Sequence, residues 1–259
     1  MEVHHHSHSA RKRWTHYFWE FLMLFLAVFC GFLAENQREH YVEAHRAKEY
    51  AKSLLGDLKE DTAEIQSGIN QNVFMIRTFD SCVSIGIKHI DKPFVPGIFY
   101  YYSRFATNAY TIDWNQSTLT QLIQSGNLRY FKNKALVEKI NNYHATQGRL
   151  LANNEQDLSH RNEIALIRNR LLDARFYEPF AKLNISEEMK KNVPDIQIDH
   201  LVIQTLPVKT DKAGMMNEFI NHLSDRKWRN TRYVNELYPQ ALKLAEEIIL
   251  LLKDEYHLK

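Results

Sequence analysis

A nearly unbroken apolar run close to the start of the chain constrains the fold more than any other feature. From Trp14 to Ala34 the run is interrupted only by Thr15, His16 and Glu20. A helix needs about 20 largely apolar residues to cross the hydrocarbon layer of a bilayer. The run therefore has the length and composition of a single membrane-spanning helix.

The flanks of this run favour an uncleaved anchor over a secretory signal peptide. Aromatic rings that prefer the headgroup layer cluster at its start, and three basic residues at 11–13 precede them. A signal peptidase requires small residues at alternate positions, but Phe32 stands two places before Ala34, and Phe29 two places before Gly31. We therefore predict a membrane anchor with a cytoplasmic N-terminus.

An acidic residue inside the run suggests a contact between helices. Glu20, Ala27 and Ala34 recur every seven residues, and Gly31 follows Ala27 by four, which gives a small-xxx-small strip on one face. These four residues are the predicted helix-packing site and favour a homo-oligomer. The alternative is that Glu20 reaches the interface or stays protonated, because an ionised carboxylate is costly in lipid.

Composition excludes several classes of function. Lys and Arg number 33 against 31 Asp and Glu, and the resulting charge of +2 provides no basic surface for nucleic acid. The 8 glycines and 6 prolines are too few for an all-β chain rich in tight turns. Two cysteines, one of them inside the apolar run, provide neither a disulfide framework nor a cysteine metal site. The composition favours long helices.

The remaining chain predicts an all-α protein in which one N-terminal transmembrane helix continues into an elongated antiparallel helical bundle. Apolar residues spaced by three and four follow the run, and no Pro or Gly separates the two before Gly56, so we expect one continuous rod. The predicted segments are a cytoplasmic His-rich and basic tail at 1–13, a transmembrane helix at 14–35 and an extracytoplasmic bundle at 36–259, comprising a helix at 36–90, an aromatic stretch with short helices at 98–131, a helix at 133–175, a loop at 176–210 and a helix at 211–257.

Local signals refine these segments. Thr118 and Gln121 have the spacing of a capping box, and Gly126 is a plausible end for the short helix that follows. Asn133 can cap the next helix. A short strand or turn is expected in the stretch IDHLVIQTL, within the predicted loop. Pro239 is expected to disturb the last helix.

One stretch, STLTQLIQSGNLRYFKNKALVEKINNYH, resembles an uncharacterised family of single-pass bacterial inner-membrane proteins. Members of that family share a similar Ser-Gly-Asn-Leu turn, an Asn-Lys pair and a helix ending in Asn-Tyr-Tyr or similar. The opening of the chain is also similar, with Glu20, Ala27, Gly31 and Asn36 at the family's positions. The resemblance implies a single-pass topology and carries no activity.

Motifs for enzymatic chemistry are absent from the sequence, which has no phosphate-binding loop, no dinucleotide fingerprint and no zinc-protease helix. Asp157 and His160 have the i,i+3 spacing of a metal motif, but further carboxylates are missing and a solvated helix face is expected. The tail histidines can bind a transition metal only if several converge, and we predict no metal site and no cofactor; these histidines are His4, His5, His6 and His8.

An aromatic stretch offers a possible ligand or partner surface. Its candidates are Tyr100, Tyr101, Tyr102 and Trp114. Aromatic side chains bury large areas and dominate cores and interfaces, so packing in the core or between copies is the favoured interpretation.

The sequence therefore favours a non-enzymatic membrane-anchored protein, and the resemblance implies that the membrane is the bacterial inner membrane, with the C-terminal domain in the periplasm. It would act by protein interaction, as an envelope scaffold or an accessory subunit. The expected partners are the membrane and a second copy or another membrane protein, with no nucleic acid, and a small-molecule ligand stays open. The alternatives are a periplasmic sensor of a small ligand and a proton-linked rod subunit that uses Glu20.

Overall fold

A computed structural model describes residues 14–182, 202–209 and 213–259. Helices dominate this part of the chain, and the prediction of an all-α protein is confirmed. The chain divides into two compact units, Met1–Tyr50 and Ala51–Lys259. The tail at 1–13, with its four histidines, lies outside the described residues.

The first helix, α1, runs from Trp14–Lys88 without a break. Its first part belongs to the first unit, and its later part, from Ala51, belongs to the second. The predicted continuation of the apolar run into the following amphipathic stretch is therefore confirmed. The helix ends at Lys88, and a turn at 89–91 separates it from Pro93.

In the described residues the second unit is a helical bundle with one small antiparallel pair of strands. Its described elements after α1 are β1 Phe94–Pro96, α2 Gly97–Ser103, a 3-10 turn Arg104–Thr107, α3 Ser117–Gln124, a 3-10 turn Asn127–Tyr130, α4 Lys134–Leu171, α5 Ala174–Ala181, β2 Thr205–Pro207, α6 Ala213–Arg232, a π turn Tyr233–Leu237 and α7 Tyr238–Tyr256. Helix α4 packs along α7 and α6, and the later part of α1 contributes a buried face.

A close helix contact is built around Gly86 in the core of this unit. A Cβ atom at Gly86 would lie 2.7 Å from Cδ1 of Ile220 on α6 and 3.3 Å from a ring carbon of Phe99 on α2. Such a distance is shorter than van der Waals contact, so only glycine lets α1 approach the other two helices this closely.

Two of the predicted helix signals near α3 are confirmed and one is wrong. Gly126 has a φ of 68° and ends α3 in the left-handed conformation that glycine tolerates best. Asn133 caps α4, since its side chain accepts hydrogen bonds from the backbone N–H groups of Ala135 and Leu136. The capping box is wrong: α3 begins at Ser117, so Thr118 lies within its first turn and is buried instead of capping.

The predicted loop at 176–210 is wrong at its start, where α5 begins at Ala174 and the preceding helix ends at Leu171. Asp173 starts α5 by accepting a hydrogen bond from the backbone N–H of Arg175, at 3.0 Å. The helix holds Pro179 in its second turn, where the proline removes a single backbone donor.

The short strand expected near the end of this loop is confirmed as β2, with Val95 of β1 opposite Leu206. Residues 183–201 lie outside the described residues. Near the C-terminus, the π turn lies immediately before Pro239, which occupies the first turn of α7. In this turn the backbone N–H of Tyr238 donates to the carbonyl of Tyr233, five residues back instead of the usual four.

Candidate functional site

The apolar run of α1 is uncovered along its whole length. No residue of its most hydrophobic window is buried, and side chains such as Leu24 and Phe32 are 67% and 68% exposed. Proteins in water rarely expose a continuous apolar surface of this extent. The described residues thus contain one helix, near the N-terminus, that is long and apolar enough to cross a membrane.

Glu20 lies on this surface beside a histidine that the sequence interpretation did not use. The His16 Nε2 atom lies 3.3 Å from Oε1 of Glu20, one helical turn away, and both side chains are about half exposed. The i,i+4 spacing of the two residues was readable from the sequence, because such pairs are neighbours on a helix.

The three small residues of the predicted packing strip lie on the same face as Glu20. At about 100° per residue, the four positions fall within about 60° of one another around the helix axis. Ala27, Gly31 and Ala34 are all exposed, and nothing lies within 4 Å of a Cβ built at Gly31. The first unit leaves room for a second helix along this strip.

The four aromatic candidates do not form one surface. Tyr100 and Tyr101 are 0% and 1% exposed in the main core, and Tyr102 packs against that core half-buried. Trp114 packs against a smaller cluster, with its ring 6.2 Å from that of Tyr143. These locations fit the core-packing interpretation, since two of the four side chains do not reach the surface.

Tyr100 also ties the strand pair to the bundle through its hydroxyl group. The hydroxyl donates to the backbone carbonyl of Pro207 and accepts a hydrogen bond from the backbone N–H of Asp173, at 3.0 Å. Burial raises the pKa of Tyr100. Its role in the described structure is to hold β2 and the start of α5 together.

A buried carboxylate, Asp61, joins three parts of the second unit. It is 1% exposed and accepts hydrogen bonds from the backbone N–H of Asn115 at 2.9 Å, the Tyr143 hydroxyl at 2.7 Å and Nε2 of Gln147 at 3.1 Å. Burial raises the pKa of Asp61, and the hydrogen bonds from Asn115 and Tyr143 do not fully offset that effect.

The expectation of a solvated helix face at Asp157 is wrong. Its Oδ2 atom lies 3.4 Å from Nε of Arg161 and 3.5 Å from Nη2 of Arg226, which comes from the facing helix α6. Arg226 is 1% exposed and donates to two backbone carbonyls, those of Ala106 and Asn108. Burial lowers the pKa of Arg226 to about 10 despite the nearby carboxylate.

Two histidines meet one turn along from this ion pair, between α4 and α6. The ring centres of His160 and His222 are 5.0 Å apart, and Nδ1 of His160 lies 3.7 Å from a carboxylate oxygen of Glu163. One potential ligand atom from each of the three residues lies within 4.8 Å of the other two. The sequence signal was His160-x-x-Glu163, which the interpretation of Asp157-x-x-His160 overlooked.

The ring nitrogens at this site are short of partners. Nε2 of His160 and Nδ1 of His222 are buried and make no hydrogen bond within the described residues. Burial lowers the pKa of His160, and the charge of Arg229 lowers it further. A lowered pKa keeps the imidazole neutral at pH 7, which is the form that binds metals.

No family model matches this chain, and no curated protein or solved structure matches it either. The resemblance to single-pass inner-membrane proteins stays a prediction.

Proposed function

We propose that this protein is anchored in the bacterial inner membrane by residues 14–35 and acts by protein interaction through the helical bundle that follows. The observation that supports the proposal is the uncovered apolar surface of α1. Each large apolar side chain gains about 1.5–3 kcal/mol when it leaves water, and this segment exposes more than ten of them. A lipid bilayer covers such a helix on all sides.

The orientation follows from the residues on either side of the span. The residues just before it include the basic cluster at 11–13, and cytoplasmic flanks carry an excess of Lys and Arg. Basic residues also follow the span, including Arg38 and Lys48, but they belong to a large C-terminal region, and such regions translocate largely regardless of charge. The bundle is therefore assigned to the periplasm.

Interaction, not catalysis, is the role that the bundle's interior supports. The most buried charged groups of the described residues are engaged with backbone or side-chain groups of neighbouring elements, and they are Asp61, Arg104 and Arg226. These contacts hold helices and loops together. We assign the protein to the scaffolds or accessory subunits of the cell envelope, with self-association through the strip of Glu20, Ala27, Gly31 and Ala34.

Alkaline extraction of membranes tests the anchor. Arginine at the centre of a spanning helix costs about 2.5–3.5 kcal/mol, so Leu24→Arg combined with Val28→Arg should move the protein from the membrane pellet to the soluble fraction. The matched control is Leu166→Arg combined with Leu250→Arg, because these leucines are 65% and 67% exposed in the second unit. The control protein should stay in the pellet; equal extraction of the two variants, or none of either, would refute the anchor.

A further inference from the structure

We propose that His160, Glu163 and His222 form a binding site for one divalent first-row transition-metal ion, with Zn²⁺ as the reference ion. The ion would join α4 to α6 at the surface of the second unit. The proposal does not depend on the membrane anchor, and the two can fail separately.

The three residues approach from two helices. His160 and Glu163 are three residues apart on α4 and therefore lie on the same face, while His222 comes from α6. Zn–N and Zn–O bonds of about 2.0–2.2 Å place two tetrahedral ligand atoms about 3.4 Å apart. In the present structure the ligand atoms of the three residues are separated by at most 4.8 Å. Closure requires a shift of at most about 1.4 Å, and Glu163, whose side chain is 59% exposed, has the freedom to make it.

Two unpaired ring nitrogens also point to a ligand at this place. A neutral histidine has one donor and one acceptor nitrogen, and buried polar atoms are nearly always paired. Here two facing histidines each leave a ring nitrogen buried without a hydrogen-bond partner among the described residues. A metal ion bound through Nε2 of His160 or Nδ1 of His222 would supply the partner that the atom lacks.

The ligand types select the class of ion. Two imidazoles and one carboxylate suit zinc, nickel, copper or iron, whereas calcium and magnesium prefer all-oxygen sets. Three protein ligands leave a coordination position open, as in zinc sites that also hold water. The exposed side of Glu163 gives that position access to solvent.

The surrounding charges limit the affinity. Arg161, Arg226 and Arg229 lie close enough to His160 and Asp157 to affect this region electrostatically. Asp157 offsets the first two, and Glu163 brings a negative charge to the ion itself. We therefore expect weaker binding than at a four-ligand structural zinc site.

Equilibrium dialysis of Zn²⁺ against the full chain in detergent tests the site. All proteins carry alanine at His4, His5, His6 and His8, so that the tail does not contribute. We expect one equivalent of zinc per chain and at least a tenfold loss of affinity in each of His160→Gln, Glu163→Gln and His222→Gln. His144→Gln is the matched control, since His144 is exposed on the same helix, and it should bind like the parent.

A thermal measurement guards against misfolded variants. An ion that binds the folded chain raises its melting temperature, so Zn²⁺ should raise that of the parent and of His144→Gln more than that of Glu163→Gln. Glu163 is exposed, and its replacement should not disturb folding. The site is refuted if the parent without tail histidines binds no stoichiometric zinc, or if the three ligand variants bind as tightly as the His144 control.

Discussion

Replacing Asp61 by asparagine and by alanine should show how much of its contribution to the free energy of unfolding comes from its hydrogen bonds and how much from its charge. Alanine removes the acceptor used by Asn115, Tyr143 and Gln147. A buried donor left without a partner costs about 1–3 kcal/mol, and the Tyr143 and Gln147 side chains are both almost fully buried. Because a costly buried charge also disappears, we expect Asp61→Ala to lower the free energy of unfolding by about 3 kcal/mol.

Asparagine keeps the shape and can keep the hydrogen bonds. Its oxygen can accept from the Asn115 backbone, and its amide group can donate to the Tyr143 hydroxyl oxygen. If the Gln147 amide flips, its Oε1 atom can accept a hydrogen bond from the amide of the new asparagine. This Oε1 atom has no partner in the described structure. We expect the free energy of unfolding of Asp61→Asn to lie within about 1 kcal/mol of the parent's at pH 7.

The pH dependence has a definite sign. The folded pKa of Asp61 is raised above the value of about 3.9 in the unfolded chain, so the folded state takes up the proton first. The parent should therefore gain stability relative to Asp61→Asn as the pH falls through the raised pKa, and the gain should be complete below about pH 3.9.

Urea unfolding in detergent, followed by circular dichroism at pH 7 and at lower pH, measures these differences. Asp80→Asn is the control, because Asp80 forms only an exposed ion pair with Lys227, and exposed pairs contribute about 0–1 kcal/mol. The reasoning is refuted if Asp61→Asn destabilises as much as Asp61→Ala, or if the parent loses stability against Asp61→Asn on acidification.

Two further predictions concern glycines. Gly86→Ala should lower the free energy of unfolding by about 1–3 kcal/mol, because the new methyl group meets Ile220. Gly148 lies in α4 with open space around it, so Gly148→Ala should raise the free energy of unfolding by about 0.5–1 kcal/mol. The same urea titration measures both values. In membranes, Gly31→Leu should reduce the fraction of dimer trapped by chemical crosslinking, while Leu33→Phe, on the opposite side of the helix, should not; equal effects of the two would remove the packing strip.

Local chemistry made several elements predictable from the sequence. The apolar run of α1, the turn at Gly126 and the cap at Asn133 depend on residues adjacent in the chain, and the structure has all three. The start of α5 was missed because Pro179 suggested a loop, although Asp173 carried a capping signal. A proline in a short helix removes one hydrogen bond and does not forbid the helix.

Contacts between distant helices were beyond sequence reasoning. Asp157 is buried because α6 brings Arg226 against it, and no residue near Asp157 in the sequence indicates that partner. The same packing brings His222 to His160. Periodicity indicates which face of a helix is apolar, but it does not say which helix will cover the polar residues at its edge.

We propose that residues 14–35 cross the membrane once and leave the bundle in the periplasm. Labelling with a membrane-impermeant maleimide tests it directly, in single-cysteine proteins whose Cys30 and Cys82 are replaced by alanine. A cysteine at the exposed position of Lys259 should react in spheroplasts without lysis, and one at Ser9 should react only after lysis. Labelling of both positions, or of Ser9 alone, before lysis would contradict the proposed topology.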